Sequence, residues 1–152
     1  MGERGYAADM RNLLVSTLAA GVGGTIAMTA SSTAEMRLRG REPSSAPVDA
    51  LEKALGRPIP ERWKSLAGNA AHLTTGVALG LPRAVLGRVL HEPAATLAFV
   101  PVASLPDVVI VPAMGVTDPP WEWGATEFAI SVWHHVAYAV GASAGVRLAG
   151  RR

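Results

Sequence analysis

The sequence has no cysteine and little charge of either sign. Of its 152 residues, 17% are charged and 5% are aromatic, whereas an average soluble domain carries about 25% charged residues. The absence of cysteine excludes a disulfide scaffold, thiol catalysis, an iron–sulfur cluster and a cysteine-ligated zinc site. With 14 Lys+Arg against 12 Asp+Glu, the net charge of +2 provides no excess that would favour a nucleic-acid partner. The length fits one domain covering 1–152.

The charges that are present leave four long gaps. Almost no formal charge falls in 12–34, 65–82, 93–117 or 128–146, with Asp107 as the exception. A helix that crosses the hydrocarbon core of a membrane needs about 20 predominantly apolar residues. The gaps therefore predict an all-α, four-helix transmembrane bundle. Its predicted spans lie near 12–35, 65–86, 94–114 and 124–147.

Three features leave other interpretations open. The gaps are rich in small residues, and a soluble helical bundle can also bury helices of this composition. A soluble bundle needs charged outer faces, however, and these segments do not supply them. The prolines of the third segment fit a pair of β-strands over 96–111 as well as a kinked membrane helix. The first segment, preceded by Arg4 and Arg11, also fits a secretory signal, but a first membrane span is preferred.

The connector 36–64 is the most polar part of the chain. Within it, 47–55 begins with Pro47 and is followed by Gly56, which predicts a short helix that either lies at the membrane interface or caps the bundle. With four spans, each side of the membrane carries seven Lys and Arg residues, so the positive-inside rule does not decide the orientation. The arginines predicted to anchor the end of the last helix are Arg147, Arg151 and Arg152.

Small residues recur every four positions in three of the predicted helices. Such stripes let two helix backbones approach closely inside a membrane, where association depends on packing, and they predict where the helices meet. The stripes are Ala19, Gly23, Ala27 and Ser31 in the first helix, Gly68, His72, Gly76 and Gly80 in the second, and Ser131, His135, Ala139 and Ser143 in the fourth.

Two of these stripes carry a histidine. His72 and His135 each lie eighth in a segment without formal charge, so their rings are predicted at one depth near the membrane midplane. They are predicted to face the bundle interior, close to each other and to the Ala19–Ser31 stripe. His134 points about 100° away from His135 on a helix and is predicted to lie off this stripe. We name the predicted polar group the midplane cluster; its members are His72, His135, Asp107, Asn69, Glu127 and Tyr138.

The midplane cluster supports three interpretations. Ionisable groups inside a membrane are expensive to bury and are therefore candidates for function. The cluster is either a set of hydrogen bonds that fixes helix packing, or a proton or ion pathway, or a b-type haem site with His72 and His135 as axial ligands. The haem alternative would make the protein an electron-transfer subunit. The other two interpretations need no cofactor and no metal.

No catalytic motif accompanies these helices. Gly21 and Gly23 resemble the start of a dinucleotide-binding loop, but Ile26 occupies the position of its third glycine. A phosphate-loop lysine, a nucleophile elbow and a His-Glu-x-x-His motif are all missing. The sequence therefore favours a non-enzymatic membrane component, either a proton, ion or small-solute pathway or an accessory subunit. Its expected partners are the lipid bilayer and either further copies of the chain or a larger membrane complex.

The chain also resembles the YagU-like family of small bacterial inner-membrane proteins of unknown function. The resemblance rests on the glycine-rich segment Ala19–Met28, on the segment His135–Ala139 with its His-x-x-aromatic-small pattern, on the proline-rich third helix and on the Pro119-Pro120 turn. His72 is followed by Thr75 where the family pattern has an aromatic residue. The resemblance implies a multi-pass protein of the inner membrane. It implies no activity and no catalytic residues.

Overall fold

The computed structural model describes residues 3–150, with side chains from residue 5 onward. Arg151 and Arg152, predicted to anchor the last helix, lie outside the described residues. No β-strand occurs within 3–150, so the predicted all-α class is confirmed and the strand pair considered for 96–111 is wrong.

The helices are numbered here in chain order. They are α1 (Glu3–Arg39), α2 (Ala46–Leu55), α3 (Glu61–Ala78), α4 (Gly80–Val89), α5 (Ala94–Leu105), α6 (Val111–Ala113) and α7 (Gly124–Ala149). A π-helical turn, Pro106–Ile110, joins α5 to α6, and a 3-10 turn, Pro120–Glu122, precedes α7. The connector end of the bundle is the one at which α1 ends and α3 and α7 begin. At the opposite end α1 and α5 begin and α4 and α7 end.

Helix α2 begins and ends close to the predicted positions. Gly56 has a φ of +64°, a left-handed conformation that glycine adopts without steric penalty, and its backbone N–H donates to the Lys53 carbonyl. Val48 is buried, and a Cβ added at Gly68 of α3 would lie 3.5 Å from the Cβ of Val48. α2 therefore packs on the first half of α3, next to the connector end.

The predicted second span, 65–86, is divided at Leu79 into α3 and α4. Pro82 explains the division, because a proline ring clashes with the carbonyl group four residues earlier, here that of Ala78. The helix resumes at once and continues past Pro82 to Val89, so the proline interrupts this segment and does not terminate it.

The predicted third span contains its prolines within continuous helical structure. Pro101 lies inside α5, Pro106 begins the π-helical turn, and Pro112 lies in α6. A proline cannot donate the backbone hydrogen bond of a regular helix. In a π-helical turn the backbone hydrogen bonds join residues five apart, so the pairing of donors and acceptors shifts by one residue. The irregularity expected from the proline spacing is thus present as a change of helix type at Pro106.

Helix α1 lies between two partners that both run antiparallel to it. On one side it meets α7: a Cβ added at Gly23 would lie 2.5 Å from the Gly141 carbonyl oxygen, and one at Gly145 would lie 2.1 Å from the Ala19 carbonyl oxygen. A Cβ atom does not come this close to a backbone atom of a neighbouring helix, so only glycine lets the two backbones touch at these positions. The first-helix stripe is therefore the contact with α7.

A second glycine contact joins α1 to α3 and α4. A Cβ added at Gly80 would lie 2.0 Å from the Thr17 carbonyl oxygen, and one at Gly21 would lie 2.5 Å from the Val77 carbonyl oxygen. Gly76 faces Thr25, whose hydroxyl would lie 2.2 Å from an added Cβ. Gly76 and Gly80 of the predicted second stripe thus mark a helix contact, as expected.

The bundle buries small residues and exposes large apolar ones. Its buried centre is Ala20, Phe99, Ala103, Tyr138, Ala139 and Ala142. Large apolar side chains exposed along the middle of the helices include Leu14, Leu18, Val22, Ile26, Leu73, Val85, Leu97, Val109, Val132, Trp133 and Val140. Two helical segments within the described chain, Gly5–Arg39 and Ala94–Ala113, are long and apolar enough to cross a membrane.

Candidate functional site

The histidine that contacts α1 is His134. Its Nδ1 lies 2.9 Å from the hydroxyl oxygen of Ser31, and its Nε2 lies 3.9 Å from a carboxylate oxygen of Glu35. The His134 side chain is 9% exposed and that of Glu35 is 11% exposed. Nε2 is buried and has no hydrogen-bond partner among residues 3–150. An imidazole nitrogen in this position can accept a proton and then pair with the carboxylate.

This geometry corrects the prediction for the two adjacent histidines. His135 was expected on the Ala19–Ser31 stripe and His134 off it, but His134 reaches Ser31. The reason is that the α7 positions facing α1 are those of His134, Gly141 and Gly145. The predicted fourth-helix stripe lies on a different face of α7.

At the connector end, Glu35 belongs to a group of charged side chains. Arg39 and Arg41 both form ion pairs with Glu35, and Arg39 also pairs with Glu127 at the start of α7. The hydrogen bond with Glu127, and then that with Glu35, raises the pKa of Arg39 above its ordinary value. Glu127 is exposed in the first turn of α7, about two helical turns before His135.

The other face of α7 contacts the π-helical turn. The hydroxyl of Ser131 donates to Asp107 at 2.8 Å, and Nδ1 of His135 donates to the Ser131 carbonyl, also at 2.8 Å. His135 is buried, whereas Asp107 and Ser131 are half-buried. The structure therefore brings Asp107 together with the Ser131 end of the fourth-helix stripe. The Nδ1 bond leaves Nε2 of His135 as the nitrogen that can act as an acceptor.

Tyr138 connects α7 to α1, α3 and α5. Its ring packs against Gly24, where an added Cβ would lie 2.6 Å from a ring carbon, and its hydroxyl donates to the Gly76 carbonyl. The ring also lies tilted against Phe99, with 5.8 Å between ring centroids. Tyr138 is 1% exposed. Its side chain fills the space between α1, α3 and α7, where a pathway for solutes larger than a proton would have to pass.

His72 and Asn69 lie on α3, towards the connector end from Gly76. His72 is half-buried and Asn69 is exposed. Because α3 and α7 both run antiparallel to α1, they run parallel to each other, and Tyr138 is level with Gly76. His72 and His135 each precede these positions by about one helical turn, which places them at similar depth. A haem bound by both histidines stays a prediction.

Arg83 is the polar residue that sequence reasoning missed. It lies near the end of the predicted span 65–86 and is 1% exposed. Its Nε and Nη2 donate to the Ser143 hydroxyl at 3.1 Å, and Nη2 also pairs with the Glu92 carboxylate. The spacing of the residues indicates its position, because Arg83 follows Gly76 and Gly80 on the same face of the segment, about one helical turn after Gly80.

The carboxylate partner of Arg83 lies between α4 and α5. Burial pushes the pKa of Glu92 upward, but a hydrogen bond from Thr96 and the charges of Arg83 and Arg147 hold it below its ordinary value. Thr96 also lies 2.7 Å from the hydroxyl oxygen of Ser143. Ser143, the last residue of the fourth-helix stripe, is thus the point at which α7 binds the α4–α5 junction.

Nothing in this arrangement forms a metal centre, since residues 3–150 contain no group of three His, Asp or Glu side chains placed to hold an ion. The chain matches no protein-family model, and comparison with curated proteins and with solved structures finds no match either.

Proposed function

We propose that the protein is a multi-pass protein of the bacterial inner membrane, as the YagU-like resemblance implies, and that its four charge-poor segments each cross the bilayer. The supporting observation is that the partners of α1 follow it along its length. α7 lies along α1 from the Arg39–Glu127 ion pair to the contact between Ala19 and Gly145. On the other side of α1, α4 continues the contact that α3 makes and reaches the Arg88–Asp9 ion pair.

Helices that lie beside a spanning helix share its depth in the membrane. α7 has 26 residues, which extend about 39 Å at 1.5 Å per residue, against a hydrocarbon core of about 30 Å. Its exposed positions include Val132, Trp133 and Val140, which are apolar, while its histidines are buried. The α3–α4 segment likewise exposes Leu73 and Val85. These faces suit contact with lipid.

Single cysteines test the four-span topology cleanly because the chain has none of its own. We expect Ser44→Cys and Trp121→Cys to react with a membrane-impermeant maleimide from one side of the membrane, and His91→Cys from the other. All three positions are exposed.

If only α1 and the α5–α6 segment crossed the membrane, Ser44→Cys and His91→Cys would instead react from the same side and Trp121→Cys from the other. That labelling pattern would contradict the proposal. The cysteine-free parent protein is the control for unspecific labelling, and labelling after solubilisation shows that each cysteine is reactive.

The function that we infer for this bundle is a proton pathway that enters at the connector end through Glu35 and His134. The buried, unpartnered Nε2 of His134 is the observation that carries this inference. Protonation at Nε2 would turn the 3.9 Å approach to Glu35 into an ion pair within the bundle. The same pair can serve a larger membrane complex if this chain is its accessory subunit.

Proton flux into vesicles tests this function. We expect the reconstituted protein to accelerate acidification of potassium-loaded vesicles under a valinomycin-imposed potential, and His134→Gln to reduce the protein-dependent rate about tenfold, because glutamine cannot take up the proton. His91→Gln, at the exposed α4–α5 junction, is the matched control and should retain the rate.

A wild-type rate equal to that of empty vesicles would contradict a pathway within this chain alone. An absorbance scan of the same preparation distinguishes the haem alternative: a Soret band that is lost in His72→Ala would replace the proton pathway with electron transfer.

A further inference from the structure

A small cavity lies between α1 and α4 at the end of the bundle opposite the connector. Its volume is about 180 Å³. Asn12 and Ser16 of α1 line one side, and Arg83 and Arg88 of α4 line the other, together with Asp9. The apolar residues Leu13, Ala84 and Val146 complete the lining, so the cavity is a recess that combines polar and apolar walls. It is separate from the His134–Glu35 pair at the connector end.

One nitrogen of the Arg83 guanidinium group takes no part in the bonds to Ser143 and Glu92. Nε and Nη2 are held by Ser143 and Glu92, while Nη1 takes part in none of these bonds. Nη1 lies beside Gly87, where an added Cβ would be only 3.0 Å away, and Gly87 lines the same cavity. A larger residue at this position would compete with the guanidinium group for space. The buried guanidinium is thus fixed in orientation by the protein and borders the cavity.

The charges around the recess include two carboxylates. Arg88 donates to the side chain of Asp9 at 2.7 Å and to its backbone carbonyl at 3.1 Å, and Glu92, which does not line the cavity, pairs with Nη2 of Arg83. The lining therefore carries two guanidinium groups against the single carboxylate of Asp9. Asn12 and Ser16 add an amide and a hydroxyl that can donate to the same ligand.

We propose that this recess binds a phosphate group. Guanidinium groups match the oxygens of phosphate in geometry and charge, and a fixed, desolvated guanidinium binds them more strongly than a mobile surface arginine does. In the four-span topology, residues 9–16 lie where α1 enters the bilayer, at the depth of lipid headgroups. The phosphate can thus belong to a lipid or to a free anion, and the cavity holds either.

Filling the recess without changing its charge is the most direct test. The detergent-solubilised full chain is titrated with inorganic phosphate, and the same chain in phosphatidylcholine nanodiscs is titrated with phosphatidic acid. We expect Gly87→Leu to weaken binding of the effective probe at least tenfold, because its side chain occupies the space beside Nη1. Arg88→Gln should weaken binding by a similar factor. Gly68→Ala is the matched control in α3, where an added Cβ makes only an ordinary 3.5 Å contact.

The two probes separate the sources of the phosphate. Binding of phosphatidic acid without binding of inorganic phosphate identifies a lipid headgroup site, and binding of both identifies a site for phosphate as such. The proposal is overturned if neither probe binds, or if Gly87→Leu, with helical content like that of the parent protein, binds as tightly as Gly68→Ala. Because the detergent titration needs no bilayer crossing, failure of the four-span topology would not by itself remove the site.

Discussion

Replacement of Gly145 by leucine is expected to destabilise the bundle by about 3 kcal/mol, near the upper end of the usual effect of overpacking. A Cβ at this position would lie 2.1 Å from the Ala19 carbonyl oxygen, which belongs to the α1 backbone and cannot move aside. The two helices must separate, and the contacts of Ala20 and Ala142 in the buried centre are lost with them. In detergent, the thermal midpoint followed by circular dichroism should fall by roughly 10 °C.

The neighbouring residue provides the control for this prediction. Ala144 is exposed on the outer face of α7, so Ala144→Leu adds the same side chain one position earlier without entering the helix contact. We expect its thermal midpoint to stay close to that of the parent protein. Equal midpoints for Gly145→Leu and the parent would show that α1 and α7 do not meet at this glycine.

Replacement of Arg83 by methionine is expected to cost about 2 to 3 kcal/mol of unfolding free energy. The change removes the cation that pairs with Glu92, and a partly buried carboxylate without its partner is strongly destabilising. The Ser143 hydroxyl also loses both of its Arg83 donors. The Glu92 side chain is 29% exposed, which lets water replace part of the lost interaction and keeps the effect below that of a fully buried pair. Denaturant titration in mixed micelles measures the difference.

A second substitution separates the charge from the packing. Arg83→Met combined with Glu92→Gln should recover part of the loss, because no unpaired charge remains. Arg88→Met, which breaks the exposed ion pair with Asp9, should have a much smaller effect. If Arg83→Met were no more destabilising than Arg88→Met, the buried Arg83–Glu92 pair would not hold the α4–α5 junction.

Acidification should weaken the same junction. Because the pKa of Glu92 is lowered in the folded protein, its contribution to stability is complete above its ordinary pKa of 4.5 and is lost as the pH falls below that value. The double variant, in which this carboxyl group is absent, should lose less stability in that pH range than the parent protein.

Local sequence patterns were sufficient for the helical class and for some of the helix contacts. The gaps between charges predicted the all-α class, Gly56 predicted the end of α2, and the spacing of Gly76 and Gly80 predicted a helix contact. These features depend on local chemistry, since backbone hydrogen bonds, glycine conformation and the absence of side chains act within a few residues of their own position. The family resemblance, the four-span topology and any cofactor stay predictions.

The tertiary structure decided which face of each helix meets which neighbour. His134 and His135 differ by one position, and the sequence alone cannot say which of them faces α1, because that depends on the rotation of α7 set by Gly141 and Gly145. Arg83 was missed for the same reason, since its partner Ser143 is 60 residues away and only the packing of α4 on α7 brings the two together. The sequence by itself therefore determined the helical class and the apolar character of the long segments. The packing of glycines against neighbouring backbones fixes the rotation of each helix. That rotation decided which polar side chains are buried together.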